Sequence, residues 1–212
     1  RYSTDPDWRV PHFEKMLYDN AQLAVAYLEG AVALEEPRFA NTAREVLEYV
    51  LREMTSDEGA FFSATDADSL CPGGHREEGW FFTWTPEELQ AELDEHEAQV
   101  ATALWAITPE GNFERRSVLH TPRPADEIAG ELGLAPAAFE EAVATIKRKL
   151  HAARSERPKP LRDEKVLTAW NGLMISAFAK GSLVLDEPRY AEAARRAARF
   201  VLQHMRKGGR LY

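Results

Sequence analysis

The sequence predicts an all-α protein built from repeated helical hairpins, with a small β-hairpin inserted between two of them. Three observations carry that reading. First, residues 20–54 (NAQLAVAYLEGAVALEEPRFANTAREVLEYVLREM) align without a gap on residues 171–205 (NGLMISAFAKGSLVLDEPRYAEAARRAARFVLQHM). The copies share Asn20/Asn171, Ala26/Ala177, Gly30/Gly181, Leu34/Leu185, Glu36-Pro37-Arg38/Glu187-Pro188-Arg189, Ala43-Arg44/Ala194-Arg195 and Met54/Met205, which marks an internal repeat. Second, Leu23, Ala26, Tyr27, Gly30 and Leu34 recur at helical spacing, as do Met174, Ala177, Phe178, Gly181 and Leu185, so each copy opens with a helix bearing one apolar face. Third, the stretch between the copies holds two aromatic runs, GAFFSAT at 59–65 and GWFFTW at 79–84, which read as the strands of a hairpin with a long polar loop.

Taken in order, residues 1–8 are polar and irregular, ending in an Asp-Pro-Asp turn signal. Pro11 can open a helix, which places the first hairpin at 12–54. Pro37 and Pro188 suit the first turn of each second helix, where a missing N–H costs nothing, and an acidic residue before each complements the helix dipole. Glycine in a helix costs about 1 kcal/mol relative to alanine, so its reuse at Gly30 and Gly181 implies close helix approach. The β-hairpin and its loop occupy 59–84. Thr85-Pro86-Glu87-Glu88 is a capping box that starts the helices of 85–156. These continue through 97–107, break at Gly111, pass an extended RSVLH run ending at His120, and resume around Ile128 and from Pro136 to Leu150. An irregular polar segment then delivers Arg162, Asp163 and Lys165 to the second hairpin, 166–205. GGRLY at the end reads as the start of a strand.

With 212 residues and 44% apolar content, the chain has enough material for a real core. A formal charge of −9 argues against nucleic acid or an anionic membrane as partner. No apolar run is long enough to span a membrane and no export signal is present, so a cytoplasmic setting is the default expectation. Cys71 stands alone, which excludes an internal disulfide or CxxC centre. Asp66-Ala67-Asp68-Ser69 lacks the glycine and distal glutamate of an EF-hand, and no metal or cofactor is expected. The chain begins without methionine and is expected to be a piece of a longer protein.

Polar groups crowd the approach to both repeats: His12, Glu14, Lys15, Tyr18, Asp19 and Asn20 before the first, Arg162, Asp163 and Lys165 with Trp170 and Asn171 before the second. A solvated, capped helix start explains such clusters. A functional reading is also available. If the first helices of the repeats line an inner ring, these loops open onto one mouth and converge on a pocket.

The motifs PHFEKMLYDNA, SATDADS, EEGWFFTWTPEEL, GNFE and RDEKVLTAWNGLM occur in that order and span essentially the whole chain. In these the chain resembles the middle of the spermatogenesis-associated, thioredoxin-domain-containing proteins. The resemblance implies an N-terminal thioredoxin-like domain in full-length members, followed by a six-hairpin α/α toroid. That toroid is similar to N-acylglucosamine 2-epimerase, cellobiose 2-epimerase and six-hairpin glycosidases, and this chain would form about half of it. A half ring is expected to expose apolar edges, and so to pair with a second copy or with the rest of the toroid and the thioredoxin-like domain. LCPGGHR at 70–76 replaces a short acidic loop usual in the family, and RRSVLH at 115–120 departs as well.

Three functions follow as expectations. The first is a carbohydrate-binding or carbohydrate-processing toroid. Trp8, Trp84 and Trp170 would offer aromatic platforms, Asp19, Arg162 and Asn171 would bond hydroxyls, and Glu14, Lys15, Tyr18, Asn20, Asp66, Asp68 and Lys165 would complete the site. As a sugar 2-epimerase it would use His12 as base and His120 as second acid/base group, with Arg162 or Lys165 steadying the enediolate. As a glycosidase-like hydrolase it would pair Asp66 or Asp68 with Asp163. The third function is a non-catalytic interaction module serving the thioredoxin-like domain.

Overall fold

A computed structural model describes residues 2–212. In chain order the elements are β1 (Lys15–Met16), α1 (Leu17–Leu34), α2 (Pro37–Glu53), β2 (Ala64–Thr65), β3 (Asp68–Leu70), β4 (Arg76–Glu78), α3 (Pro86–Glu92) and α4 (Glu95–Trp105). They continue with α5 (Ala125–Glu131), α6 (Pro136–Ser155), β5 (Arg162–Asp163), α7 (Thr168–Val184), α8 (Pro188–His204), β6 (Arg206–Lys207) and β7 (Arg210–Leu211). The mainly helical class with small antiparallel strand pairs is as the sequence predicts. The chain divides into two compact units. One comprises Glu14–Asp66 and Leu161–Tyr212, the other Tyr2–Phe13 and Ala67–Pro160.

The first unit holds both repeats. In it α1 packs on α2 and on α7, and α7 packs on α8. Its core collects Leu17, Ala21, Leu47, Val50 and Met54 from the first hairpin with Met174, Phe178, Tyr190 and Ala197 from the second. Phe61 enters this core and stacks on Phe178, ring centroids 5.2 Å apart. Each hairpin turns at a left-handed residue in the same repeat position, Glu35 (φ 54°) and Asp186 (φ 51°), followed two residues later by the helix-opening proline. The two repeated glycines differ. A Cβ on Gly181 would lie 2.6 Å from Leu47 Cδ1, a real close approach, whereas one on Gly30 would meet the Phe39 ring at 3.4 Å.

Pro11 does not open a helix; α1 begins at Leu17. Lys15 and Met16 are drawn into a strand instead, pairing with Thr65 and Ala64, and the Leu17 N–H donates to the Ser63 carbonyl at 2.9 Å. β2 pairs on its other side with β5, so three two-residue strands knit the loops ahead of both hairpins into one small sheet, in the order β1-β2-β5. On the helical surface of this unit Leu23, Val32, Leu34, Leu183 and Leu202 are exposed.

The two aromatic runs do not form a hairpin with each other, contrary to the sequence reading: GAFFSAT lies in the first unit and ends in β2, and GWFFTW, in the second, forms no strand. The hairpin is β3 with β4, in the register Asp68↔Glu78, Ser69↔Glu77 and Leu70↔Arg76, and its loop is short. Residues 79–82 form a tight turn, with the N–H groups of Phe82 and Thr83 both donating to the Gly79 carbonyl. Gly79 is required there: its φ is +74°, and a Cβ would sit 2.6 Å from the Phe13 ring. The carbonyls that a strand would have spent on a ladder are claimed by arginines. Arg157 donates to the carbonyls of Trp80, Phe81 and Thr83, and Arg116 to that of Thr83. The capping box predicted at Thr85 and Glu88 is present, and Asp94 with Glu97 forms another that opens α4. This unit's core is Trp84, Leu89, Val100, Leu104, Ile128, Phe139, Ile146 and Leu150. Among the described residues no helix is long and apolar enough to cross a membrane.

Candidate functional site

In the first unit a cavity of about 460 Å³ opens beside the three-stranded sheet. Its lining brings together Glu14, Asp66, Arg162, Asp163, Lys165 and Trp170, with Met16, Ser63, Ala64, Leu161 and Leu167 between them. The sheet register explains the arrangement. Met16, Ala64 and Asp163 are cross-strand partners and share one face, that of the cavity. Lys15, Thr65 and Arg162 are partners in the adjoining rung; the Thr65 hydroxyl lies 3.1 Å from the Tyr49 hydroxyl of α2, while Arg162 still borders the cavity at its rim. The sequence reading put Ser63 and Ala64 in the GAFFSAT strand, but nothing in it pointed to pairing with the loops before the two repeats.

The electrostatics of the rim are set by short-range pairs. Lys165 Nζ lies 3.1 Å from Asp163 Oδ2, and the Lys165 N–H donates to Oδ1 at 3.2 Å. Chiefly through its hydrogen bond, that lysine holds the Asp163 carboxyl below the usual carboxylate range, so it is ionised at neutral pH. The Asp163 carbonyl accepts from both the N–H and the hydroxyl of Ser63, which fixes its position on the sheet. Arg162 is held from three sides: it donates to Glu164 at 2.6 Å and to the Glu53 carbonyl at 3.1 Å, and lies 4.3 Å over the Phe62 ring. The Glu53 contact places a cation on the C-terminal end of α2, where the helix dipole favours it. Trp170, in the first turn of α7, meets the Tyr18 ring edge-on with centroids 4.8 Å apart.

Neighbouring candidates on the repeated helices have other partners. Asn171 is fully buried; its amide donates to the Phe61 carbonyl at 2.9 Å and accepts from the Phe61 N–H at 2.9 Å. Asn20, its repeat equivalent, donates back to the Met16 carbonyl at 2.7 Å within its own helix. Asp19 sits in the first turn of α1, favourable for a carboxylate, and Lys15 lies on β1.

The remaining candidates belong to the second unit. Trp8 sits on an exposed loop whose backbone N–H groups at 7, 9 and 10 are gathered by the Asp5 carboxylate. The His12 ring lies 4.9 Å from that of Tyr2. Asp68 is on β3, its carbonyl accepting from Arg76. Trp84 is buried, and the Arg157 guanidinium covers its ring at 4.0 Å. His120 Nδ1 lies 3.2 Å from Asn112 Nδ2 and 3.3 Å from the Val118 carbonyl, so this nitrogen is held within its own loop.

The fold and site define a helical-hairpin repeat protein with a polar pocket walled by one tryptophan at the entry to its hairpins. No family model matches the chain. Its relatives are clear nonetheless. The chain is 37% identical over 225 residues to spermatogenesis-associated protein 20 of Homo sapiens, and 35% identical to that of Mus musculus, in each case across 97% of its own length. It is therefore a homologue of one stretch of the spermatogenesis-associated protein 20 family, as the motifs implied. It spans 29% of the human protein and 28% of the mouse one. A solved D-mannose isomerase aligns with 91% of the chain and 41% of its own, at 13% identity and a TM-score of 0.28. At that score neither fold nor chemistry passes from one protein to the other.

Proposed function

We propose that the cavity of the hairpin unit binds a sugar, and that the chain is the carbohydrate-binding part of a larger protein whose chemistry to test first is a 2-epimerase-like isomerisation. One observation carries the reading: Trp170, the carboxylates of Glu14, Asp66 and Asp163, and the cations of Arg162 and Lys165 surround a single cavity of about 460 Å³. A pocket of that size suits a small ligand, a tryptophan wall suits the apolar face of a sugar ring, and ionised groups in pairs suit its hydroxyls. In the epimerase reading the cations of this cavity, Arg162 or Lys165, steady the enediolate, whereas His12 and His120, the acid/base pair expected from the sequence, belong to the other unit and are not among the residues that line it. A glycosidase-like reading keeps Asp163, which Lys165 holds ionised, as base or nucleophile and pairs it with Asp66 of the same cavity. The remaining toroid and the thioredoxin-like domain are the partners proposed for the full-length protein.

The test is proton NMR of the protein in deuterated water with reducing mono- and disaccharides. The epimerase reading predicts loss of the H2 signal of one sugar, abolished in Lys165→Met. Binding shifts without exchange would keep the pocket and remove the isomerisation. No shift with any sugar would sink both in favour of an interaction module.

A further inference from the structure

Cys71, His75 and Glu77 are brought together by the register of the β3–β4 hairpin. Leu70 pairs with Arg76 and Ser69 with Glu77, so the next rung sets Cys71 opposite His75, and the Cys71 N–H donates to the His75 carbonyl at 2.9 Å. Opposite residues of an antiparallel pair share a face, and so do residues two apart along a strand. Thiol, imidazole and carboxylate therefore project to one side of the turn, and one donor atom from each lies within 4.8 Å of the others. Gly73 opens the room. A Cβ there would stand 2.8 Å from His75 Cε1, 2.9 Å from Nδ1 and 3.9 Å from Cys71 Sγ.

We propose that this turn is a zinc site of the pattern Cys-x3-His-x-Glu, independent of the pocket proposed above. Sulfur, imidazole nitrogen and carboxylate oxygen are the donors zinc takes, whereas calcium and magnesium take oxygen alone. A tetrahedral zinc with bonds of about 2.0–2.3 Å holds its donors about 3.3–3.6 Å apart. The His75 and Glu77 side chains, 63% and 39% exposed, face solvent and have room to adjust toward that spacing. His75 Nε2 and Glu77 Oε1 already lie 2.5 Å apart, and a metal between them displaces any proton held there to solvent. The thiol proton, now directed at the His75 carbonyl at 3.1 Å, passes to solvent as the Zn–S bond forms. Cys71 is 6% exposed, so the thiolate is shielded on its protein side. Three protein ligands leave the fourth position to water.

The test is titration of the tag-free, chelator-treated chain with Co²⁺, then Zn²⁺. The site predicts one Co²⁺ per chain with a thiolate-to-metal charge-transfer band and four-coordinate visible bands, extinguished by one equivalent of Zn²⁺. Cys71→Ser should abolish the charge-transfer band. His75→Ala and Glu77→Gln should each weaken Co²⁺ binding at least as much as the ~10–100-fold lost with an outer-shell partner. Alkylation of Cys71 should slow with Zn²⁺ and recover with EDTA. Absence of the band, or a band of unchanged affinity in His75→Ala, would overturn the site. Both histidine and glutamate variants change exposed side chains of the turn, so they decide the matter even if Cys71→Ser does not fold.

Discussion

Replacing Asn171 by alanine should be among the most damaging single changes in the hairpin unit, although the side chain is polar and carries no charge. Asn171 is fully buried, and its amide answers both backbone groups of Phe61 from 110 residues away, accepting from the N–H and donating to the carbonyl, each at 2.9 Å. Truncation leaves that N–H and C=O in a site closed to water. Each orphaned buried group costs about 1–3 kcal/mol, so the expected loss is about 2–6 kcal/mol. Asn20→Ala is the control. Its amide bonds within its own helix, which competes weakly with solvent, and the change should cost under about 1 kcal/mol. Urea unfolding followed by circular dichroism measures both. A midpoint for Asn171→Ala within 1 kcal/mol of the parent at unchanged slope, or equal losses at the two positions, would refute the reasoning.

Other expectations concern the same packing. Gly181→Ala should destabilise by about 1–3 kcal/mol by overpacking Leu47, while Gly30→Ala should be neutral or stabilising by up to about 1 kcal/mol; thermal unfolding of the pair separates these signs. Arg157→Met should cost about 3–5 kcal/mol in denaturant titrations because three carbonyls and Glu88 lose their shared donor, and Arg157→Lys should not restore the fork. Tyr190 has its phenol pushed up to about 12, by burial first and then by its hydrogen bond to Glu48. The folded state then keeps a proton that the unfolded state gives up at about 10, so stability falls as pH rises from about 10 to about 12. Tyr190→Phe should flatten that part of the pH–stability curve, and a curve unchanged by the substitution would contradict the assignment.

How far the sequence foretold this structure depended on the range of the interaction. The hairpins were legible because the repeat of 20–54 in 171–205 and its 3.6-residue periodicity are local signals, and so was the capping box at Thr85. The strands were not. GWFFTW has strand composition, but Gly79 turns it back and Arg157, just past the C-terminal end of α6, takes the carbonyls a ladder would have used. Pro11 read as a helix start, whereas pairing of Lys15 and Met16 with residues about 50 positions on delays the helix to Leu17. In the pocket, the charged loops before each repeat could be named in advance, but not the register that puts Asp163 on the cavity face and Thr65 behind it. The equivalence of Asn20 and Asn171 was legible, and their different partners were not.

The central claim is that the cavity beside the β1-β2-β5 sheet is a sugar site, and its most direct test is saturation-transfer NMR of the intact protein against a panel of mono- and disaccharides. The parent should transfer magnetisation to at least one sugar, and Asp163→Asn should lose that signal while its unfolding midpoint stays near the parent's, since Asp163 anchors the sheet through its carbonyl rather than its carboxylate. An undiminished signal in Asp163→Asn and Trp170→Phe, or no signal from any sugar with the parent, would contradict it.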